Sequence, residues 1–257
     1  MPMYKMTDLI VSKQGRTILS VSQLNLRQNE LTVILGHNGS GKSTLMKVLA
    51  RQMMFDHGAV TLAGKTLEHY SQKQFARQVA FLQQDLPTAT GLVVSELVAL
   101  GRFPWRGIFG KTTAKDQRII ETAMRDTHIQ NYADQFVDEL SGGERQRAWI
   151  ALLLAQQAPM LLLDEPVSAL DLAHQYEVMA LLKGLCLNKQ CGVVVILHDI
   201  NLAVRFADHI IGLKQGNVVF NCEPDQLFSD ERLSQLYGLD LEFIDSPKGL
   251  YKIAAVV

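Results

Sequence analysis

Two kinds of apolar run alternate along the chain. Leu31 to Leu35, Val79 to Leu82, Met160 to Leu163, Val193 to Leu197 and Ile210 to Leu213 are short, nearly continuous and bounded by turn residues. Runs without polar alternation suit strands buried on both faces of a sheet. Ser43 to Arg51, Gln175 to Leu187 and Ile200 to Ala207 instead carry apolar residues at helical spacing. Strand then helix, repeated, predicts a parallel α/β sheet. The middle departs from this. From about Pro87 to Gln157 no run reads as a strand, and Val93 to Gly101, Ala114 to Thr127 and Gly142 to Gln156 all have the helical period. Near the end, Pro224 stands at a helix start, Leu227, Leu233, Leu236 and Tyr237 follow at helical spacing, and Gly238 is a stop. The expected organisation is a single domain over residues 1–257. Segments 1–86 and 158–222 form an α/β core, 87–157 a helical insert and 223–257 a helical tail.

Composition narrows the class. Of 257 residues, 47% are apolar and 20% charged, a globular balance with room for a sizeable core. Twenty-five basic against 26 acidic residues leave a formal charge of −1, so no basic field is available to hold nucleic acid. The longest uncharged stretch, Ala148 to Leu163, carries two glutamines and a proline and falls short of the roughly 20 apolar residues that span a bilayer. Cys186, Cys191 and Cys222 are odd in number and form no CxxC pair, which fits reduced thiols in a cytosolic chain.

Candidate chemistry begins where the first buried run ends. Gly36-His37-Asn38-Gly39-Ser40-Gly41-Lys42-Ser43, followed by Thr44, fits GxxxxGK[ST] between a strand and a helix. Glycines let successive N–H groups point inward at phosphate oxygens, and the helix adds its positive end. Lys42 is expected to bridge β- and γ-phosphates, and the Ser43 hydroxyl to ligate Mg²⁺. A second buried run, Met160 to Leu163, ends in Asp164-Glu165. Ligands of open α/β sheets bind at the carboxyl edge, where Asp164 can hold Mg²⁺ and Glu165 can act as general base on a water.

Leu140-Ser141-Gly142-Gly143-Glu144-Arg145-Gln146-Arg147 offers another helix N-terminus with a serine and two glycines, an anion-binding arrangement. With the phosphate loop before it and Asp164-Glu165 23 residues after Ser141, the chain resembles the ATP-binding cassette (ABC) proteins. That resemblance implies a P-loop NTPase fold: a RecA-like parallel sheet core with an N-terminal antiparallel β part and an inserted all-helical subdomain. It implies ATP and Mg²⁺ as ligands, and two copies of the chain enclosing ATP between the phosphate loop of one and the Ser141 to Glu144 turn of the other. Ser168-Ala169-Leu170-Asp171 resembles the D-loop along the dimer partner, and His198 the switch histidine on the γ-phosphate. Phe81-Leu82-Gln83-Gln84 resembles the Q-loop; Gln84 is the expected metal-proximal glutamine, with Gln83 the alternative. The family's adenine-stacking aromatic is missing, and the best-matching position is Val11.

The resemblance goes further. Gly36 to Leu45, Glu96-Leu97-Val98-Ala99-Leu100-Gly101-Arg102-Phe103-Pro104-Trp105 and Gly142 to Ala151 look like ATPase subunits of ferric-siderophore importers, best in the iron(III)-hydroxamate branch. This implies a bacterial inner-membrane importer with the homodimer on the cytoplasmic face. Integral-membrane permease subunits would sit above it, and a periplasmic siderophore-binding protein would act through them. Catecholate, haem and cobalamin importers are similar, and soluble cassette ATPases of DNA repair or translation form the other alternative. The Gly101 to Gly107 loop, with Phe103, Pro104 and Trp105 between arginines, reads either as a turn packed on neighbouring helices or as the border of the permease groove.

Overall fold

The computed structural model describes residues 2–106, 110–189, 191–228, 231–246 and 252–257. In chain order the strands are β1 (Pro2–Lys13), β2 (Arg16–Arg27), β3 (Leu31–Leu35), β4 (His57–Leu62), β5 (Lys65–Thr66), β6 (Val79–Leu82), β7 (Met160–Asp164), β8 (Gly192–Ile196), β9 (His209–Lys214), β10 (Asn217–Cys222), β11 (Leu241–Asp245) and β12 (Lys252–Val256). The helices are α1 (Lys42–Leu49), α2 (Gln72–Ala76), α3 (Val94–Leu100), α4 (Phe103–Arg106), α5 (Ala114–Asp126), α6 (Gly142–Gln156), α7 (Leu172–Lys189), α8 (Ile200–Phe206) and α9 (Arg232–Tyr237).

Among the described residues, one mixed sheet runs in the order β5-β4-β1-β2-β10-β9-β3-β8-β7-β6. Its β9-β3-β8-β7-β6 half is parallel, and its β5-β4-β1-β2 part antiparallel. The five continuous apolar runs form the parallel half, because each must feed two cores. On β3, Leu31, Val33 and Leu35 join one core cluster and Ile34 the other. On β8, Val193 and Val195 face the first while Val194 and Ile196 face the second. An alternating strand could not do this without burying its polar face.

The insert has its own core, in which Val94, Leu97 and Val98 of α3, Ile120, Ala123 and Met124 of α5 and Ala148, Ala151 and Ala155 of α6 meet. Small residues on α6 let the other two helices approach closely. A buried ion pair closes this unit: Arg102 Nε donates to Asp116 Oδ1 at 2.8 Å, and its Nη1 donates to Ala155 O at 2.8 Å. Hydrogen bonds from Thr113 and Arg102 hold the Asp116 carboxyl down to about 2. The far end of α6 is fastened to the core, where Gln156 Nε2 donates to the carbonyls of Ala76 (2.6 Å) and Val79 (2.9 Å).

The tail departs from expectation. Pro224–Leu227 is a 3₁₀ turn, α9 follows, and Gly238 ends it at φ +67°, as expected. The chain then forms an antiparallel hairpin, β11 with β12, where a wholly helical tail was expected. The helical spacing of Leu227 to Tyr237 does not continue past Gly238; Leu241, Phe243 and Phe228 instead pack on the core. Residues 229–230 and 247–251 of this tail lie outside the described residues, as does Gly107 of the Gly101 to Gly107 loop.

Candidate functional site

The phosphate loop is shaped by the sheet beside it. At Gly36 (φ +150°) an added Cβ would lie 2.2 Å from Leu213 O on β9, so the chain leaving β3 can turn here only without a side chain. Gly41 takes φ +103° as N-cap of α1, with no side chain capping the helix and no acid in its first turn. The free amides and positive end of α1 are therefore left facing the loop. Lys42 is buried; its Nζ donates to Gly36 O (2.7 Å) and His37 O (2.9 Å), holding a cation inside the ring of amides. Burial lowers its pKa from the ordinary lysine value, against the pull of Glu165 and Asp164.

Three distant segments meet beside this loop. Asp164 ends β7, and the chain turns at Glu165 through a left-handed conformation (φ +53°) that re-aims the glutamate. Glu165 Oε2 accepts from Gln84 Nε2 at 2.9 Å, and Oε1 lies 2.6 Å from His198 Nε2, which donates in its Nε2-protonated form. Gln84 follows β6 and His198 follows β8, the strands on either side of β7. Parallel pairing thus delivers all three side chains to one sheet edge. Of the two candidate glutamines, Gln84 is the one that reaches Glu165. Burial pushes the Asp164 carboxyl up from its ordinary range, a hydrogen bond with Ser43 offsets this in part, and Glu165 adds to the rise. Asp164 Oδ1 is buried without a hydrogen-bond partner.

An open cleft of about 440 Å³ is lined by Ile18, Asn38, Gly39, Gly41, Lys42, Ser43, Thr44, Gln84 and Glu165. A larger cleft of about 500 Å³, lined by Leu153, Leu161, Leu185 and Cys191 among others, holds none of these groups.

The Ser141 turn lies elsewhere, outside that lining. Ser141 caps α6: Glu144 N donates to its Oγ (3.3 Å), and Ser141 N donates back to Glu144 Oε2 (2.8 Å). Hydrogen bonds from Tyr132 and Ser141 hold the Glu144 carboxyl down to about 2. Gly142 is exposed, and a Cβ added to Gly143 would sit 3.3 Å from Leu170, so the Ser168 to Asp171 segment packs against this turn. Asp171 itself is exposed and binds His174.

Comparison with known proteins agrees with this layout. Residues 19–168 match the family model described as ABC transporter, more than half of the chain. The chain belongs to the ABC transporter family. It is 40% identical over 90% of its length to the ferric enterobactin transport ATP-binding protein FepC of Escherichia coli, covering 85% of that protein. It is also 40% identical over 91% of its length to the iron(3+)-hydroxamate import ATP-binding protein FhuC of Bacillus subtilis, covering 87%. Among solved structures, the dimeric structure of MJ0796, a bacterial ABC transporter cassette, superposes with a TM-score of 0.78 at 29% identity, over 86% of this chain and 99% of that one. A solved structure described as "an inward-facing conformation of a putative metal-chelate type ABC transporter" gives a TM-score of 0.86 over the whole of this chain and 98% of that one, at 24% identity.

Within this ABC cassette one expected contact is displaced. Val11, the expected adenine neighbour, is 3% exposed and packs in the core with Leu9 and Leu19. Strand alternation decides this, because β1 turns Leu9 and Val11 inward together. An aromatic at position 11 would have to be accommodated in this core. The hairpin instead presents Ile18 of β2 to the cleft. Its signal was available: Ile18 precedes inward-facing Leu19 on a strand and so takes the opposite face. Among the described residues no helix is long and apolar enough to cross a membrane.

Proposed function

We propose that this chain, an ATPase of the ABC transporter family, powers import of an iron(III)-siderophore as a nucleotide-sandwiched homodimer. It would do so beneath a membrane permease on the cytoplasmic face of a bacterial inner membrane. The observation that carries the proposal is the meeting of Gln84, Glu165 and His198 beside the phosphate loop, with the Ser141 turn outside that cleft.

ATP is held first by its phosphates. The amides of Gly36 to Gly41, Ser43 and Thr44 surround the β-phosphate, and Lys42, released from its own loop carbonyls, bridges β and γ. The Ser43 hydroxyl, Gln84 amide and Asp164 carboxylate form an all-oxygen set, and the unpartnered Asp164 Oδ1 suits a hard divalent cation. These residues would hold Mg²⁺, which when bound neutralises charge on the β- and γ-phosphates. Glu165 orients and deprotonates the attacking water through a lone pair that its bonds to Gln84 and His198 leave open. His198, freed from Glu165, turns its N–H to the γ-phosphate. One cleft offers too few donors for the γ-phosphate; a partner's Ser141 hydroxyl and Gly142 and Gly143 amides complete the set. Asp171 runs along that partner.

The siderophore class is supported by relatives named for enterobactin, hydroxamate, achromobactin and petrobactin, whereas a relative named for hemin represents the haem alternative. Enterobactin and hydroxamate relatives stand at equal identity, so hydroxamate is one member of the class supported. A periplasmic binding protein would deliver the chelate to the permease. The test is iron-limited growth of a deletion strain on single chelates. Loss on one or more iron chelates, restored by the wild-type gene and not by Glu165→Gln, is expected. Normal growth on every chelate would overturn the assignment.

A further inference from the structure

The phosphate loop is touched from a quarter that the ATPase scheme does not use. His37, the second residue of the loop, directs Nε2 at the carbonyl oxygen of Tyr237, 3.1 Å away and 200 residues later in the chain. The two rings also meet edge to face, with centroids 5.2 Å apart and planes at 70°. The Tyr237 hydroxyl is buried beside the Gly36 amide, outside ordinary hydrogen-bond geometry, and feels the carboxylate of Asp199. Burial pushes this phenol up to about 12, so it stays neutral. One residue of α9 therefore sits against the start of the phosphate loop.

A second fastening runs parallel to the first. Asp199 caps α8 by accepting from Asn201 N and Leu202 N. Asn201 is tied to the terminal hairpin: Ala254 N donates to its Oδ1 at 2.8 Å, and its Nδ2 donates to Ala254 O at 3.4 Å. Hairpin and α9 are themselves joined, since Leu241 N donates to Ser234 Oγ at 3.0 Å. Lys214 Nζ, at the end of β9, donates to Gln235 O.

We infer that the C-terminal segment is a strap alongside the phosphate loop, in which Tyr237 is a positioning residue that holds the loop through His37 while the hairpin holds the His198 segment through Asn201. The route to the phosphates is short. The His37 carbonyl is one of the two acceptors of Lys42 Nζ and also accepts from Ser40 N. Displacing His37 thus disturbs the carbonyl that parks Lys42 inside the loop and the Ser40 amide that shapes it. This rests on the phosphate-loop reading above.

The experiment is a double-mutant cycle on the full-length chain, reading ATP affinity by titration and kcat and KM by steady-state hydrolysis. His37→Ala, Tyr237→Ala, the pair, Tyr237→Phe and Lys42→Ala are compared. Each single alanine variant should weaken ATP binding about fivefold or more, and the pair should be no weaker than the worse single, because groups in contact couple. The backbone carbonyl survives in every variant at position 237, so Tyr237→Phe differs from Tyr237→Ala by keeping the ring on His37 and should restore most of the affinity. A merely structural tail would lower Tm in Tyr237→Ala and leave the affinity of folded protein unchanged. Strictly additive losses, or unchanged affinity in His37→Ala, overturn the strap. His37→Ala alters only an exposed loop side chain, so it decides the matter even should Tyr237→Ala fail to fold. Wild-type hydrolysis by Lys42→Ala would instead overturn the phosphate-loop reading.

Discussion

The N-termini of α1 and α6 both carry glycines, yet they are prepared differently. At α1 the cap is Gly41 in a left-handed conformation, with no side chain bonded to the first-turn amides and a buried lysine beside them. At α6 the cap is Ser141, and Ser141 and Glu144 satisfy each other. The first end is open and electropositive. The second is already half satisfied, keeping free only what the capping box does not take: the serine O–H and the amides of Gly142 and Gly143. On the proposed reading, the first end would hold a triphosphate and the second would supplement a phosphate held elsewhere. On the proposed homodimer, the contrast gives a physical reason why one cleft and one detached turn would serve the same reaction.

The most severe way to probe the open end is Glu165→Gln. It keeps the hydrogen-bond geometry to Gln84 but removes the base, and should cut turnover by roughly 10²–10⁴-fold with ATP-bound dimers accumulating. Near-normal hydrolysis would remove Glu165 from the role. Gly142→Asp strikes the half-satisfied end by placing a carboxylate where a phosphate must approach. Turnover should fall about 10²-fold while ATP binding to the single chain stays unchanged, as loss of one preorganised donor set predicts. Weakened binding to the monomer would show that the two ends are not separate. Trp105→Ala touches neither end. Trp105 lies against Arg77 and Arg102, donates to Gln156 O at 2.7 Å and remains 39% exposed. Isolated ATPase should be unchanged and co-purification with the permease weakened about tenfold; an intact complex would leave Trp105 a packed turn.

The smallest effect separates the insert from the core by pH. With Asp116 held down to about 2 against an ordinary 3.8, its contribution is complete above about pH 4 and is lost as pH falls toward 2. Denaturant midpoints at pH 5 and pH 3 should therefore fall further in the wild type than in Asp116→Asn. Equal slopes would mean that the Arg102 pair adds nothing.

Most of the parallel half was legible in the sequence, because strands serving two cores leave uninterrupted apolar runs that little else in a chain of this composition produces. The phosphate loop and Asp164-Glu165 were legible for a related reason, since their glycines and acids sit where such runs stop. The antiparallel strands were harder, being half exposed and marked only by alternation. Val11 was misplaced because matching along the chain does not say which face of a strand a residue takes. The terminal hairpin was hidden by the helical spacing just before it. No local signal could have joined Tyr237 to His37, a contact made across 200 residues by the packing of α9 beside β9.

The fastening of Gln156 to the strand that leads to Gln84 has a mechanical consequence. It pins one end of a rod of 15 residues, about 22 Å long, whose other end carries Ser141. Every degree by which the insert pivots on that pin sweeps the serine through about 0.4 Å. Because Val79 begins the strand that leads to Gln84, a pivot of the insert about that pin would also pull on the glutamine.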